Sequence, residues 1–295
     1  MSRGRGTFDP VARKNRISEG WDSIAETWDS WAPVVEEWFA PATAALLELL
    51  ELKSGDRVLE LAAGTGGLTL HLARTVGPTG SVVATDIGPN MVKLAARNVR
   101  AAGLTNVVVR VMDGEAPDLA WASMDAVVCR QGFMFLVDPE RALSGLCRIL
   151  RPGGRIALTV FSSPERNGFM VTPLSILSRR AHPDSEPAPA AVRPGPFGLS
   201  EPGALESMMS RAGFVEVKTR LVSSPLRLPS VRELLRFDRD ILGEDVTHLP
   251  KAEQEKAWQE VAEASLGYTG PNSPGAPCEL IVAFGRRPAA RSVPR

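Results

Sequence analysis

Residues Val58 to Leu68 read V-L-E-L-A-A-G-T-G-G-L, and this stretch decides the fold. Apolar positions run into one acid, Glu60. A glycine turn follows at Gly64, Gly66 and Gly67, and a helix begins with Leu68, Leu70 and Leu72 among small residues. A strand that ends in glycines and opens a helix gathers bare backbone N–H groups at one point. Glycine suits that point because a Cβ would block a ligand's close approach, and because such turns favour positive φ.

Three details narrow the ligand. A phosphate loop needs Gly-Lys-Ser/Thr, and no lysine lies between Arg57 and Arg74. A dinucleotide fingerprint needs a further glycine three residues after the second, where Thr69 stands. Glu60 would repel a pyrophosphate and welcome a cationic group. A ligand with a ribose and a positive charge fits best.

Outward from this stretch the chain alternates strands and helices. Strands are expected at Arg57–Leu61, Ser81–Asp86, Val107–Val111, Met124–Cys129 and Arg155–Phe161, with helices at Leu68–Val76, Pro89–Ala102 and Glu140–Leu150 between them. That rhythm implies right-handed crossovers and a parallel sheet covered on both faces. A short helix at Gly203–Ala212 and a strand at Phe214–Arg220 follow. After two further helices, Leu280–Gly285 supplies a last strand that breaks the rhythm and inserts antiparallel. The fold class is therefore α/β: a doubly wound, Rossmann-like sheet of seven strands, mostly parallel.

Around it the expected organisation is an N-terminal helical arm (1–52), the cofactor-binding half (53–161), a proline-rich lid (162–202), a helix and strand of the sheet (203–220), a helical insertion covering an acceptor (221–278), the last strand (279–287) and a flexible tail (288–295). The arm carries Trp21, Trp28, Trp31 and Trp38, which pack it onto the core; Trp28 has the alternative of covering a ligand. A helix is expected over Pro41–Leu52. Pro164 to Pro202 holds eight prolines and reads as a lid or access loop. Ser230 and Glu233 form a capping box that opens a helix to about Leu242, and Pro250 opens another toward Leu266.

Composition limits the partners. In 295 residues, Lys plus Arg and Asp plus Glu number 34 each, so no bulk field draws nucleic acid or an acidic membrane. No stretch suggests a membrane span, and no apolar leader follows Met1. Three scattered cysteines, Cys129, Cys147 and Cys278, lack any Cys-x-x-Cys pairing and suit a reduced, cytoplasmic protein with no metal site. A monomer and a homodimer are equally compatible with the sequence.

Chemistry is expected at the carboxyl ends of the strands. Asp86 lies 22 residues after Gly64, the spacing at which an acid accepts both hydroxyls of a ribose; capping the helix at Pro89 is its plainer role. Ile87 would flank an adenine. Asp113 and Gly114 end the third strand, where a carboxylate accepts from an amino group and Met112 packs on a ring; an ordinary turn is the alternative. Arg130, Gln131, Gly132 and Phe133 follow the fourth strand into the same crevice. Leu150–Arg155 is read as a structural turn.

These motifs in order, V-L-E-L-A-A-G-T-G-G, V-V-A-T-D-I-G-P-N-M-V, V-M-D-G-E-A-P, M-D-A-V-V-C-R-Q-G-F-M-F and L-R-P-G-G-R-I-A-L-T-V, resemble the class I S-adenosylmethionine-dependent methyltransferases, and within them the small-molecule type of ubiquinone and menaquinone biosynthesis. The resemblance covers roughly Arg57 to Phe161. It implies S-adenosyl-L-methionine as cofactor, S-adenosyl-L-homocysteine as product, and direct methyl transfer to a small-molecule acceptor, with oxygen or carbon preferred. It also implies a cofactor site of Trp28, Glu60, Ala62, Gly64, Thr65, Gly66, Asp86, Ile87, Met91, Met112, Asp113, Gly114, Arg130 and Gln131. Phe133 is a candidate acceptor contact. A general base is needed if the acceptor is a hydroxyl or an acidic carbon; His182 and His248 are the candidates, and His71 is read as structural. An NAD- or FAD-linked oxidoreductase is disfavoured by Thr69 and Glu60. A non-catalytic nucleoside-binding module is disfavoured by the long insertions at the strand ends.

Overall fold

The computed structural model describes residues 9–181, 194–242, 246–270 and 272–290. Three helices lead in: α1 (Pro10–Ser23), α2 (Ala25–Ser30) and α3 (Ala32–Leu50). The alternating unit follows as β1 (Arg57–Leu61), α4 (Gly67–Val76), β2 (Ser81–Asp86), α5 (Pro89–Ala101), β3 (Val107–Val111), β4 (Met124–Arg130), α6 (Pro139–Ile149) and β5 (Leu150–Phe161). Then come α7 (Gly168–Ala181), α8 (Ala204–Arg211), β6 (Val215–Ser223), α9 (Val231–Leu242), α10 (Lys251–Ala264) and β7 (Glu279–Arg286).

The strands form one seven-stranded sheet in the order β3-β2-β1-β4-β5-β7-β6. The five strands β1 to β5 run parallel, and β7 lies antiparallel between β5 and β6. Strand order reverses between β1 and β4. In open sheets of this kind, ligands bind at that reversal, beyond the carboxyl ends of the strands.

Period-two alternation divides β1 between two cores. Leu59 and Leu61 join one apolar cluster with Val127, Leu143 and Leu158; Val58 joins the other with Leu46, Leu72, Ala84 and Val128. The helices obey their punctuation. Gly66, at φ 93°, precedes α4 and Gly77, at φ 66°, ends it. Pro89 opens α5, whose Met91, Leu94, Ala95 and Val99 are buried at helical spacing.

Three local expectations are corrected. The helix expected from Pro41 is α3, which starts at Ala32 and carries Pro41 inside it. Proline lacks the N–H for one helical hydrogen bond, but burial of Val35, Trp38, Phe39, Ala42 and Leu46 holds the helix through that position. The proline-rich excursion contains a regular helix, α7, with Pro173 buried within it. The turn expected at Leu150–Arg155 belongs to β5 itself, with Gly153 at φ 79° shifting the register against β4.

Candidate functional site

At the sheet's reversal point lies a cavity of about 580 Å³. That size suits a bound small molecule. Its floor is the turn after β1. Ala62 and Gly64, with φ of 51° and 55°, both line the cavity, and Gly64 brings bare backbone to it. Asp86, at the end of β2, locks this turn. Its Oδ2 accepts from the Gly64 backbone N–H at 2.9 Å, and its Oδ1 accepts from the Gly88 N–H at 2.9 Å. The carboxylate is buried yet lines the cavity. Burial raises its pKa against the pull of those backbone donors.

Glu60 accepts from the Thr69 hydroxyl at 2.6 Å, which ties β1 to the first turn of α4. Burial pushes its carboxyl up to about 8, against the Thr69 hydrogen bond and the nearby Arg130 charge. Arg130, at the end of β4, reaches back to α3. It donates to Glu36 Oε1 at 2.5 Å and Oε2 at 3.1 Å, a two-pronged pair, and to the Thr43 hydroxyl at 2.8 Å. Glu36 rests on Gly67: a Cβ there would stand 1.9 Å from Glu36 Oε1.

Gln131 follows with φ 61°, uncommon for a residue with a side chain. Its Oε1 is buried with no partner among the described residues, while its amide nitrogen donates to Thr159 at 3.3 Å. The site thus holds a turn of exposed backbone, a half-engaged carboxylate, an ion pair and an unsatisfied amide oxygen within one cavity wall.

The arm closes one side. Lys14 donates to Asp113 at 2.7 Å and Glu115 at 3.0 Å, past β3. Partial burial alone would lower its pKa, but the two carboxylates raise it overall. Asp22 accepts from the backbone N–H and the side-chain amide of Asn90, at the start of α5. Asp29 pairs with Arg97 and accepts from Asn98, whose amide also donates to the Thr65 carbonyl at 2.9 Å. Trp21 and Trp28 meet edge-on with centroids 5.5 Å apart, and both line the cavity.

Another part of the wall is aromatic and apolar. Trp38 stands edge-on to Phe169 at 4.6 Å and to Phe237 at 6.1 Å, and Phe161 lies 5.4 Å from Phe169. Met170, Leu174, Ile241 and Leu242 complete this part of the wall. One acid interrupts it. Asp238 on α9 is 2% exposed and lines the cavity.

The structure gathers nearly all the expected cofactor residues. Trp28, Glu60, Ala62, Gly64, Thr65, Asp86, Ile87, Met91, Met112, Asp113, Gly114, Arg130 and Gln131 line the cavity, as does Phe133. Gly66 does not: it turns the chain into α4, and a Cβ there would lie 3.3 Å from Ala95. The candidate bases fare differently. His248 is exposed and does not line the cavity. His182 lies outside the described residues. His71 sits on α4, 3.7 Å from Glu36, and does not line the cavity.

Sequence reasoning missed Glu36, Lys14, the aromatic wall and Asp238. Only Asp238 left a signal. Leu234, Phe237, Asp238 and Ile241 follow the i, i+3, i+4, i+7 spacing of a buried helix face, which places an acid where an apolar residue is expected.

Comparison with known proteins agrees with this geometry. A family model described as "Methyltransferase domain" matches residues 58–154. Nocamycin O-methyltransferase from Saccharothrix syringae is 32% identical over 207 residues, covering 68% of this chain and 73% of that protein. The ubiquinone/menaquinone biosynthesis C-methyltransferase UbiE of Pseudomonas aeruginosa (strain LESB58) is 31% identical over 182 residues, covering 58% of this chain and 70% of that protein. Among solved structures, phosphoethanolamine N-methyltransferase 2 of Haemonchus contortus, in complex with S-adenosyl-L-methionine, shares the fold. Its TM-score is 0.55 at 17% identity, over 88% of this chain and 57% of that one. No helix of the described residues is long and apolar enough to cross a membrane.

Proposed function

We propose that this chain, which belongs to the class I S-adenosylmethionine-dependent methyltransferases, passes a methyl group directly to a nucleophilic atom of a small-molecule acceptor. The carrying observation is one cavity with two unlike ends. Backbone turn, Asp86 and the Arg130–Glu36 pair border one end, and the aromatic wall of Trp38, Phe161, Phe169 and Phe237 borders the other.

The residues at the first end fit the methyl donor. Asp86 keeps acceptor capacity toward the cavity and takes the ribose hydroxyls. Ile87, Met91 and Met112 flank the adenine, with Asp113 and Gly114 at its edge. The donor's amino-acid end is a zwitterion, and Arg130 and Glu36 offer it opposite charges. Gln131 Oε1, buried and unpartnered, gains a hydrogen-bond donor when an ammonium or hydroxyl comes within reach.

S-adenosylmethionine supplies a methyl group already activated on a positively charged sulfur. The chain's contribution is proximity, alignment and exclusion of water. That positive charge disappears in the transfer, so a strong anionic contact at sulfur would hold the reactant more tightly than the transition state. The aromatic faces of Trp21, Trp28 and Phe135 border the cavity and bind a cation more mildly. Helix α7 and the segment at Pro194–Pro196, whose Pro194 carbonyl accepts from Arg13 of the arm, complete the cavity lining. Oxygen and carbon are the preferred accepting atoms, since the relative matched over 68% of this chain is named an O-methyltransferase and one matched over 58% a C-methyltransferase.

The test is calorimetric titration of the purified protein with S-adenosylmethionine, S-adenosylhomocysteine and NAD. Binding of both sulfur nucleosides without NAD is expected. Binding of NAD alone would falsify the assignment of the site.

A further inference from the structure

We propose that Asp238 is the acceptor-side base of this enzyme, taking the hydroxyl proton of a phenolic or enolic acceptor whose apolar body lies among Trp38, Phe161, Phe169 and Phe237. The inference rests on the methyltransferase reading and names the acceptor chemistry of the same site.

The argument starts from α9. Leu234, Phe237 and Asp238 are its buried residues, so the carboxylate shares the face that two large apolar side chains turn inward. Asp238 is 2% exposed and borders the cavity. No hydrogen-bond or ion-pair partner for it stands among the described residues. Buried polar groups are almost always paired, and an unpaired carboxylate in an apolar wall is costly. A ligand hydroxyl in the cavity supplies the missing donor.

The charged groups of the surrounding elements are engaged elsewhere. On α9, Arg236 lies beside Glu233 and Asp240, Asp240 accepts from the Trp31 indole N–H, and Arg239 pairs with Glu255 of α10. On α3, Glu36 is held by Arg130. Burial alone therefore sets the proton affinity of Asp238 and pushes its pKa up to about 7. A base with that affinity is ionised in a substantial fraction near neutrality, yet binds a proton far more firmly than an exposed aspartate.

The step balances as follows. The acceptor's O–H bond breaks and its proton passes to a carboxylate oxygen of Asp238. The electron pair left on oxygen forms the new bond to the methyl carbon, and the carbon–sulfur pair returns to sulfur, leaving a neutral thioether. Asp238 then releases its proton to water when the product leaves. An amine acceptor would arrive as a cation or a weak acid and would leave this carboxylate either as a counter-ion or idle. The apolar surroundings favour the neutral hydroxyl.

The experiment uses protein loaded with S-adenosylhomocysteine and compares naphthol, naphthylamine and naphthalene by calorimetry, at one pH unit above and one below the titration of Asp238. Naphthol is expected to bind about tenfold more tightly than naphthalene at the higher pH, the size of a charge-assisted hydrogen bond. That preference should shrink at the lower pH. Asp238→Asn should remove the pH dependence while binding S-adenosylhomocysteine as the unchanged protein does, which shows that it folds; Asp238→Leu should bind naphthalene and naphthol alike. An Asn variant that keeps the pH-dependent preference overturns the proposal, as does selection of naphthylamine over naphthol. Failure of the unchanged protein to bind S-adenosylhomocysteine overturns the methyltransferase reading instead, so the two failures are distinct. Where a phenol is turned over, methyl transfer from labelled donor should rise with pH through the same range and be flat in Asp238→Asn.

Discussion

The two ends of the cavity are built by different means. At the end proposed for the donor, backbone conformation and short sequence distances dominate: Gly64 and Asp86 are 22 residues apart and share a hydrogen bond. At the end proposed for the acceptor, Trp38, Phe161, Phe169 and Phe237 come from α3, β5, α7 and α9, and only tertiary packing brings them together. A ligand end made of backbone tolerates little change of shape. One made of side chains on separate helices can be recut for a new acceptor without disturbing the donor.

The comparison breaks first at Phe237, if anywhere. Phe237→Ala should cost about 4 kcal/mol of stability in urea unfolding, as for other buried phenylalanines. Its affinity for S-adenosylhomocysteine should stay within about twofold, equivalent to about 0.4 kcal/mol; a large loss would show that the ends are coupled. Gly132→Ala sharpens the other side. The new Cβ would meet the Ala62 Cβ at 2.1 Å, so the β1 and β4 turns must part. We expect a cost of about 3 kcal/mol by overpacking, here with loss of donor binding.

The third prediction concerns pH. Asp238 binds its proton more tightly folded than unfolded, with its pKa moving from 3.8 to about 7. Between those values the native state holds more protons than the unfolded one, so its contribution is complete below pH about 4 and is lost as pH rises through about 7. The loss is at most about 4 kcal/mol. Asp238→Asn should therefore gain stability over the unchanged protein as pH rises through this window. Parallel urea-midpoint curves for the two proteins would contradict it.

A smaller effect is expected at Asp86. Asp86→Ala should weaken donor binding at least tenfold, about 1.4 kcal/mol, and unchanged affinity by calorimetry would remove it from the site. The smallest change is expected at Lys14, whose ion pairs with Asp113 and Glu115 tie the arm down. Partly exposed pairs contribute little to stability, so Lys14→Met should leave unfolding nearly unchanged and instead raise the donor's dissociation rate by about threefold in stopped-flow measurements, equivalent to about 0.7 kcal/mol.

The same contrast explains what was legible in the sequence. The strands at Arg57–Leu61, Ser81–Asp86 and Val107–Val111 carry the bounds expected of them, because apolar runs bounded by glycine, proline and acids are local signals. The residues proposed for the donor follow those strand ends, and their place at the cavity was legible with them. Glu36 was not, since nothing local says that an acid on α3 will meet Arg130, 94 residues on. Pro41 misled because proline usually opens helices, whereas the buried face of α3 carries the helix through it. His248 carried suitable chemistry, but its residue type says nothing of the direction in which its turn faces.

The arm has a consequence for how the molecule is made. Residues Lys14, Asp22 and Asp29 leave the ribosome well before Asp113, Asn90 and Arg97, the groups they clasp. Contacts of such long sequence separation form late. The nascent segment must therefore wait, unpaired and rich in tryptophan, until the sheet behind it is finished. Adding donor during refolding should hasten its protection from protease, because the nucleoside gives those early-made helices something to settle upon.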